Sequence, residues 1–233
     1  LTVRVVANKI SGQLDYKPIP YPVSIDGGRI LYNGLKTESI NLQGKIGRST
    51  FTNYSSGMNF EGEPTIEVQS GIFHVVLDEI FPWLASDKRL EDDLKDIKTM
   101  TGIAEITVKS IKGPLLQPAD LQYELQCDLK KIDHTATYLP GPLKIASGTV
   151  NIVPDKAVFE NLQGELLDSF LTYSGVLQNF ISGKTNAEII VTNAEIGPEL
   201  NTWFSEQIKV PKEYIFRTPL LVSRSHVKWT REE

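Results

Sequence analysis

The stretch Asn41-Leu42-Gln43-Gly44 occurs a second time as Asn161-Leu162-Gln163-Gly164, and the repetition extends outward from it in both directions. At the same spacing of 120 residues, Gly28 falls on Gly148 and Pro22 falls on Pro142. Over positions 22–60, twelve of the 39 residues equal their counterparts, whereas unrelated segments of average composition would share about two or three. The chain therefore carries an internal duplication, and we expect one continuous domain, 1–233, with repeat units at approximately 1–115 and 116–233.

The repeated residues need a structural explanation before a chemical one, because a duplicated motif first reflects a duplicated fold. We interpret the Gly and Asn positions as turns and strand starts, since these residues adopt positive φ readily. In the same register, Asn59-Phe60 falls on Asn179-Phe180. The positions assigned a structural role are Gly28, Asn41, Leu42 and Gly44 in the first copy and Gly148, Asn161, Leu162 and Gly164 in the second.

Most of the chain alternates between apolar and polar residues, which predicts β-strands with one dry face and one wet face. The clearest run is 121–130, with similar runs at 104–109, 187–191 and 221–229 and another where the chain opens, at 1–8. Turn residues such as Asn33-Gly34 and Asp26-Gly27-Gly28 separate the runs. The fold class is therefore mainly β: an extended antiparallel sheet built from two duplicated meander units.

Two short helical segments are predicted at equivalent points of the two copies. In the first, residues 77–84 crowd apolar side chains on one side, and Leu90, Leu94 and Ile97 then form one stripe on an acidic helix. In the second, Pro198 occupies a favourable first helical position. Each copy is thus a strand meander followed by a short amphipathic helix.

Composition and motifs argue against several classes of function. The net charge of −5 and the scattered Lys and Arg do not suit a nucleic-acid partner. The acidic run 91–96 is a solvated face, and the three histidines lack the spacing of metal ligands. Ser225 and His226 point to opposite faces of a strand, so they cannot form a nucleophile–base pair. We expect no metal, no cofactor, no catalytic residue and no enzymatic activity.

The residues from Ile25-Asp26-Gly27-Gly28 through Asn41-Leu42-Gln43-Gly44-Lys45-Ile46-Gly47 resemble the central pattern of AsmA-like proteins. The order is maintained in Pro82-Trp83-Leu84, in Leu139-Pro140-Gly141-Pro142 and in the closing run 219–229, so the resemblance covers nearly the whole chain. With the related TamB and YhdP groups, these are bacterial envelope proteins. The chain is similar to their C-terminal-type region.

The resemblance implies an extended, curved antiparallel sheet, a repeating β-groove, whose apolar face carries phospholipid or another acyl-chain lipid towards the outer membrane. It further implies a periplasmic location in a Gram-negative bacterium, an N-terminal anchor in the inner membrane and envelope protein partners. No such anchor is present here, and the chain opens directly on a strand pattern, so we expect a segment of a longer protein.

The lipid-groove lining is expected on the apolar side of the alternating strands. These residues could equally be ordinary core, and strand pattern alone favours a β-sandwich whose two inner faces cover each other. The resemblance favours the open groove. The expected lining residues are Ile106, Val108, Leu121, Tyr123, Leu125, Cys127, Ile189 and Val191.

The leading hypothesis is a non-enzymatic lipid-binding segment that takes part in phospholipid transfer and outer-membrane biogenesis. The alternative is a structural or scaffolding β-domain for outer-membrane protein assembly that pairs with partners through an edge strand. A carbohydrate-active β-sandwich enzyme is a third reading. It requires exposed aromatic platforms with paired carboxylates, and neither is visible in the sequence.

Overall fold

The protein is a chain of long antiparallel strands with short helices between them. The computed structural model describes residues 4–15, 19–88, 90–179, 185–207, 209 and 216–230. Its helices are α1 Leu77–Ala85, α2 Glu91–Leu94 and α3 Pro198–Gln207, with a one-turn 3-10 helix at Pro118–Asp120. Its strands are β1 Val5–Asn8, β2 Gly12–Leu14, β3 Val23–Tyr32, β4 Lys36–Ile46, β5 Ser49–Asn59, β6 Thr65–Val76, β7 Ile97–Pro114, β8 Gln122–Ala136, β9 Leu143–Val153, β10 Lys156–Leu166, β11 Ser169–Gln178, β12 Asn186–Ile196 and β13 Leu220–Thr230.

All thirteen strands belong to one sheet. The order is β1-β3-β4-β5-β6-β7-β8-β9-β10-β11-β12-β13, with β2 also paired to β3. From β3 onward each strand therefore lies beside the next one in the chain, as in a meander. The predicted fold class, a mainly β protein with an antiparallel sheet and short helices, is confirmed. Of the run expected at 1–8, Val5–Asn8 forms β1, and residues 1–3 lie outside the described part.

The helices agree with the sequence in two places and differ in a third. α1 covers the segment predicted at 77–84, and α3 begins at Pro198 as expected. The helix predicted over Leu90, Leu94 and Ile97 is wrong in extent, because α2 is a single turn that ends at Leu94 and Ile97 already starts β7. The apolar residue at i+7 belongs to a strand, and pairing in the sheet outweighs the helical spacing.

The repeated Asn-Leu-Gln-Gly stretch lies inside strands β4 and β10, so its interpretation as a turn or strand start is wrong. Asn41 and Asn161 have φ of 50° and 51°, and the strand register shifts beside each of them. The backbone N of Asn41 donates to Ser55 Oγ at 3.0 Å, and that of Asn161 donates to Ser174 Oγ at 2.9 Å. Each copy therefore contains a β-bulge whose displaced amide is bound by a serine on the next strand.

Gly28 and Gly148 are required by close packing against the Leu of the same repeated stretch. A Cβ at Gly28 would lie 2.7 Å from the Cα of Leu42, and one at Gly148 would lie 2.8 Å from the Cα of Leu162. Both leucines are buried, with 6% and 2% of their surface exposed. Asp26-Gly27-Gly28 is consequently not a turn, since it lies within β3 where the register against β4 shifts.

The two copies differ by one residue inside β5. Leu42 pairs with Tyr54, and its counterpart Leu162 pairs with Tyr173, which is 119 positions from Tyr54 and not 120. The additional residue is accommodated at Asn53, which has φ of 53°. Lys36 pairs with Asn59 and Lys156 pairs with Gln178. Asn59 is thus equivalent to Gln178, so the match of Asn59 to Asn179 is wrong, and Phe180 lies outside the described residues.

The chain divides into two compact units that interleave along the sequence. Unit 1 is Leu1–Trp83, Ala104–Cys127 and Asn151–Pro154, and unit 2 is Leu84–Ile103, Asp128–Val150 and Asp155–Glu233. In unit 1, the rings of Phe51, Tyr54 and Phe73 pack with centroids 6.1–6.4 Å apart. Two of the three contacts are edge-to-face, an arrangement that stabilises a core beyond the area it buries.

Helices α1 and α3 are each attached to a hairpin turn two strands earlier in the chain, β4–β5 for α1 and β10–β11 for α3. In unit 1, Glu79 Oε2 accepts from the backbone N of Arg48 at 2.8 Å, and the Arg48 guanidinium contacts Asp78 at 2.8 Å. In unit 2 the carboxylate belongs to the turn and the amide to the helix. Asp168 Oδ2 accepts from the backbone N of Glu199 at 2.9 Å at the start of α3. A carboxylate here satisfies amide groups that have no partner within a helix.

Candidate functional site

The apolar side of unit 2 includes three rows of residues that run across four strands. Strand register places the members of each row opposite one another from β10 to β13. We call these twelve residues the unit 2 apolar face. The rows are Leu162–Tyr173–Val191–Ser225, Phe159–Gly175–Ile189–Val227 and Ala157–Leu177–Ala187–Trp229.

Solvent exposure rises along these rows towards the edge of the sheet. On β10, Leu162 and Ala157 are buried at 2% and 8% exposure. The residues on β11 and β12 are half-buried. On β13, Val227 and Trp229 are exposed at 47% and 49%. The face therefore begins as core at β10 and becomes an accessible apolar surface at β13.

The chemistry of the unit 2 apolar face suits an aliphatic ligand. Its side chains are hydrocarbon or aromatic apart from Ser225 and the Tyr173 hydroxyl, and no ionisable group that is charged at neutral pH belongs to the three rows. Burial raises the pKa of Tyr173, so the phenol stays neutral in an environment of low polarity. Because Gly175 has no side chain, the middle row forms a depression in the apolar surface where it crosses β11.

Two of the eight predicted lining residues, Ile189 and Val191, lie in the unit 2 apolar face. Both are half-buried and lie opposite residues of β11 and β13 in the ladder. Their position on an apolar strand face agrees with the sequence-based expectation. Whether they contact a lipid stays a prediction.

The other six predicted lining residues lie in unit 1 on neighbouring strands β7 and β8 or directly before β8. Val108 and Cys127 are buried, at 6% and 8% exposure. On the opposite face of the same strand pair, Lys109 Nζ lies 3.3 Å from Glu124 Oε1. Alternation along a strand therefore places Val108 and Leu125 together on the apolar side. The half-buried members of this set are Ile106, Leu121, Tyr123 and Leu125.

The sequence did not reveal most of the unit 2 apolar face. Phe159, Tyr173 and Leu177 were missed, and Leu162 was singled out only as a repeated position. The available signal was the hairpin turn at Leu167-Asp168, beside which Leu166 of β10 lies opposite Ser169 of β11. Bulges at Asn161 and Asn193 interrupt the simple alternation, so counting by two from the turn fails after a few residues.

Comparisons of the chain with protein-family models, with curated proteins and with solved structures found no match. Among the described residues, no helix is long and apolar enough to cross a lipid bilayer.

Proposed function

We propose that the protein binds the acyl chains of phospholipids on its apolar sheet surface and is a non-enzymatic segment of a lipid-transfer protein of the bacterial envelope. The observation that carries the proposal is the unit 2 apolar face. Its three rows pass from buried Leu162 and Ala157 on β10 to exposed Val227 and Trp229 on β13. An exposed apolar surface that continues a core is a typical feature of binding sites for apolar partners.

The expected binding energy comes from hydrophobic contact. Each Å2 of apolar surface removed from water contributes about 25 cal/mol. An acyl chain has no polar group to satisfy, so a lining of Ile, Val, Leu and aromatic residues can bind it without directional contacts. This mode of binding selects for chain length and saturation more than for the headgroup.

The envelope assignment rests on the resemblance of the repeated motifs to AsmA-like proteins. A parent protein held by the inner membrane of a Gram-negative bacterium would place this segment in the periplasm, where it would contribute to outer-membrane biogenesis. The internal duplication supports this picture, because duplicating one unit also duplicates its apolar strand face.

The test compares two substitutions at adjacent positions of β12. Ile189→Lys places a charge in the unit 2 apolar face, whereas Ile190→Lys places the same charge on the opposite face of the same strand. Protein purified without detergent is incubated with palmitoyl-oleoyl phosphatidylglycerol, and bound lipid is measured by native mass spectrometry. We expect retention of lipid by the wild type and Ile190→Lys, and loss by Ile189→Lys.

Circular dichroism of both variants checks that they fold. Wild-type protein that carries no lipid after incubation contradicts the proposal, and so does equal binding by two folded variants.

A second candidate function, a scaffold that pairs with protein partners through an edge strand, is favoured by β13. This strand has eleven residues, and its only partner in the sheet order of the described residues is β12. Nine of its side chains are exposed, including Leu221 at 77%. An exposed edge of this length can add a strand from another chain. Leu221→Lys, which lies outside the twelve residues of the unit 2 apolar face, would place a charge on this edge strand, and it should abolish partner capture while lipid binding persists.

A further inference from the structure

A cleft of about 510 Å3 lies on the polar side of unit 2, opposite the side that bears the apolar rows. Strands β8 to β12 line it. The sequence neighbours of two of its polar residues are buried. Ile132, beside Asp133, is 5% exposed, and Ile145, beside Lys144, is 9% exposed. Alternation along each strand therefore directs Asp133 and Lys144 into the cleft. Its volume is within the range typical of small-ligand sites, about 300–1,000 Å3.

An exposed aromatic ring forms part of the cleft wall. Phe170, the second residue of β11, is 56% exposed. In the ladder it is opposite Glu165 on β10, and Gln163 is opposite Thr172 two residues further along. A large apolar ring thus stands beside carboxylate, amide and hydroxyl groups on adjacent strands.

The charges that line the cleft balance. Lys131 and Lys144 face Asp133 and Glu165 within one lining, and Lys144 Nζ contacts Glu165 Oε1 at 2.9 Å. A phosphate or another anion would have to compete with Glu165 for Lys144, and a cation would meet two lysines. The lining favours a ligand that is neutral but rich in hydrogen-bonding groups.

We propose that this cleft binds a neutral saccharide, with one face of a sugar ring stacked on Phe170. Pyranose rings present C–H groups on their faces and hydroxyls around their rims. The ring of Phe170 supplies the apolar platform. The carboxylates of Asp133 and Glu165 accept from sugar hydroxyls, while the amides of Gln163 and Asn193 both donate and accept.

The inference is independent of lipid binding, because the two sites use opposite faces of the same strands. Thr172 lines the cleft, whereas its neighbour Tyr173 belongs to the unit 2 apolar face. The structure also assembles what the sequence does not reveal, an exposed aromatic residue together with two carboxylates. The saccharide could be free or could be the headgroup of a glycolipid, and both present the same chemistry.

The experiment titrates isotope-labelled protein comprising residues 1–233 with maltose, cellobiose and N,N′-diacetylchitobiose and follows backbone amide shifts by NMR. We expect at least one of these disaccharides to shift amides at 131–133, 144–146, 163–165 and 170–172 selectively. Phe170→Ala should weaken this binding by about fivefold or more, because stacking on the ring is lost. Phe204→Ala is the matched control, since Phe204 on α3 is 54% exposed and lies outside the cleft lining.

Three results would overturn the proposal: no cleft shifts with any of the three disaccharides, undiminished binding by folded Phe170→Ala, or inorganic phosphate shifting the cleft amides more strongly than every sugar.

A second experiment separates the two sources of the ligand. The amount of protein that sediments is compared between phosphatidylcholine vesicles that contain digalactosyl diacylglycerol and plain phosphatidylcholine vesicles. Stronger sedimentation with the glycolipid vesicles identifies a glycolipid headgroup if Phe170→Ala removes that excess. Equal sedimentation with both vesicles, together with shifts by a free disaccharide, identifies the free saccharide.

Discussion

Ser169 Oγ accepts a hydrogen bond from the backbone N of Gly197 at 2.8 Å, and the serine is completely buried. The contact joins the first residue of β11 to the corner between β12 and α3. Unit 1 repeats it, with Ser49 Oγ accepting from the backbone N of Val76 at 3.0 Å just before α1. In each unit a buried hydroxyl thus satisfies the amide at the corner where a strand becomes a helix.

Ser169→Ala should destabilise the protein by about 1–3 kcal/mol, because the amide of Gly197 is left buried without its acceptor. Urea unfolding followed by circular dichroism measures this difference. Ser174→Ala is the control, since its bond to the amide of Asn161 is exposed and water can replace the hydroxyl. Equal effects of the two substitutions would contradict the role assigned to burial.

Gly148→Ala should destabilise the protein by more than about 2 kcal/mol, because the new methyl group would collide with the backbone of Leu162. Gly57→Ala provides the matched comparison. A Cβ there meets nothing within 4 Å, and we expect a neutral effect or a gain of up to about 1 kcal/mol. Thermal unfolding of both variants tests the difference, and a tolerated Gly148→Ala would exclude the close approach described for β9 and β10.

Acidification should weaken the fold through His134. This histidine on β8 is 9% exposed, and burial lowers its pKa below 6.5, against the opposing effects of the Thr99 backbone and the Asp133 charge. The unfolded chain therefore takes up the proton first as the pH falls. The stability that the neutral ring contributes is fully present above pH 6.5 and is lost as the pH decreases through the lower, folded pKa.

His134→Phe should reduce the slope of unfolding free energy against pH in this interval, as measured by urea unfolding at a series of pH values. Tyr138→Phe is the control, because it removes only the hydroxyl 3.3 Å from His134 Nε2 and leaves the buried imidazole in place. An unchanged slope in folded His134→Phe would show that other groups cause the acid sensitivity.

Trp229 should report lipid binding by its fluorescence. It lies at the exposed end of a row of the unit 2 apolar face, opposite Ala187 on β12. In a variant with Trp83→Phe and Trp203→Phe, we expect phospholipid with brominated acyl chains to quench Trp229, because the quencher acts only at short range. Adding Ile189→Lys should remove the quenching, and adding Ile190→Lys should leave it. Equal emission with brominated and unbrominated lipid would place the acyl chains elsewhere.

The sequence predicts the elements better than the site. Alternation at 121–129 identifies β8, and Pro198 identifies the start of α3, because both signals are local. The short α2 is mispredicted, since Ile97 satisfies helical spacing and strand pairing equally well and only the neighbouring strand decides. Local patterns carry no information about which strand lies beside which.

The saccharide cleft illustrates this limit. Asp133, Glu165 and Phe170 come from three strands, and no short motif links them. Their meeting depends on the registers of several strand pairs, and bulges at Asn161 and Asn193 alter these registers by single residues. An error of one residue would move a side chain to the opposite face. Strand periodicity alone therefore cannot assemble this site.

The bulge at Asn53 has a consequence for how such a chain can change over evolutionary time. Phe51 and Tyr54 share one face of β5 although three positions separate them, whereas Leu171 and Tyr173 share the equivalent face at a separation of two. A bulge thus absorbs an inserted codon within a strand without reversing the residues on either side. Two duplicated copies can therefore come to differ in length while their packing stays the same. An alignment that forbids gaps in strands then fails to match Tyr54-Ser55 with its equivalent, Tyr173-Ser174.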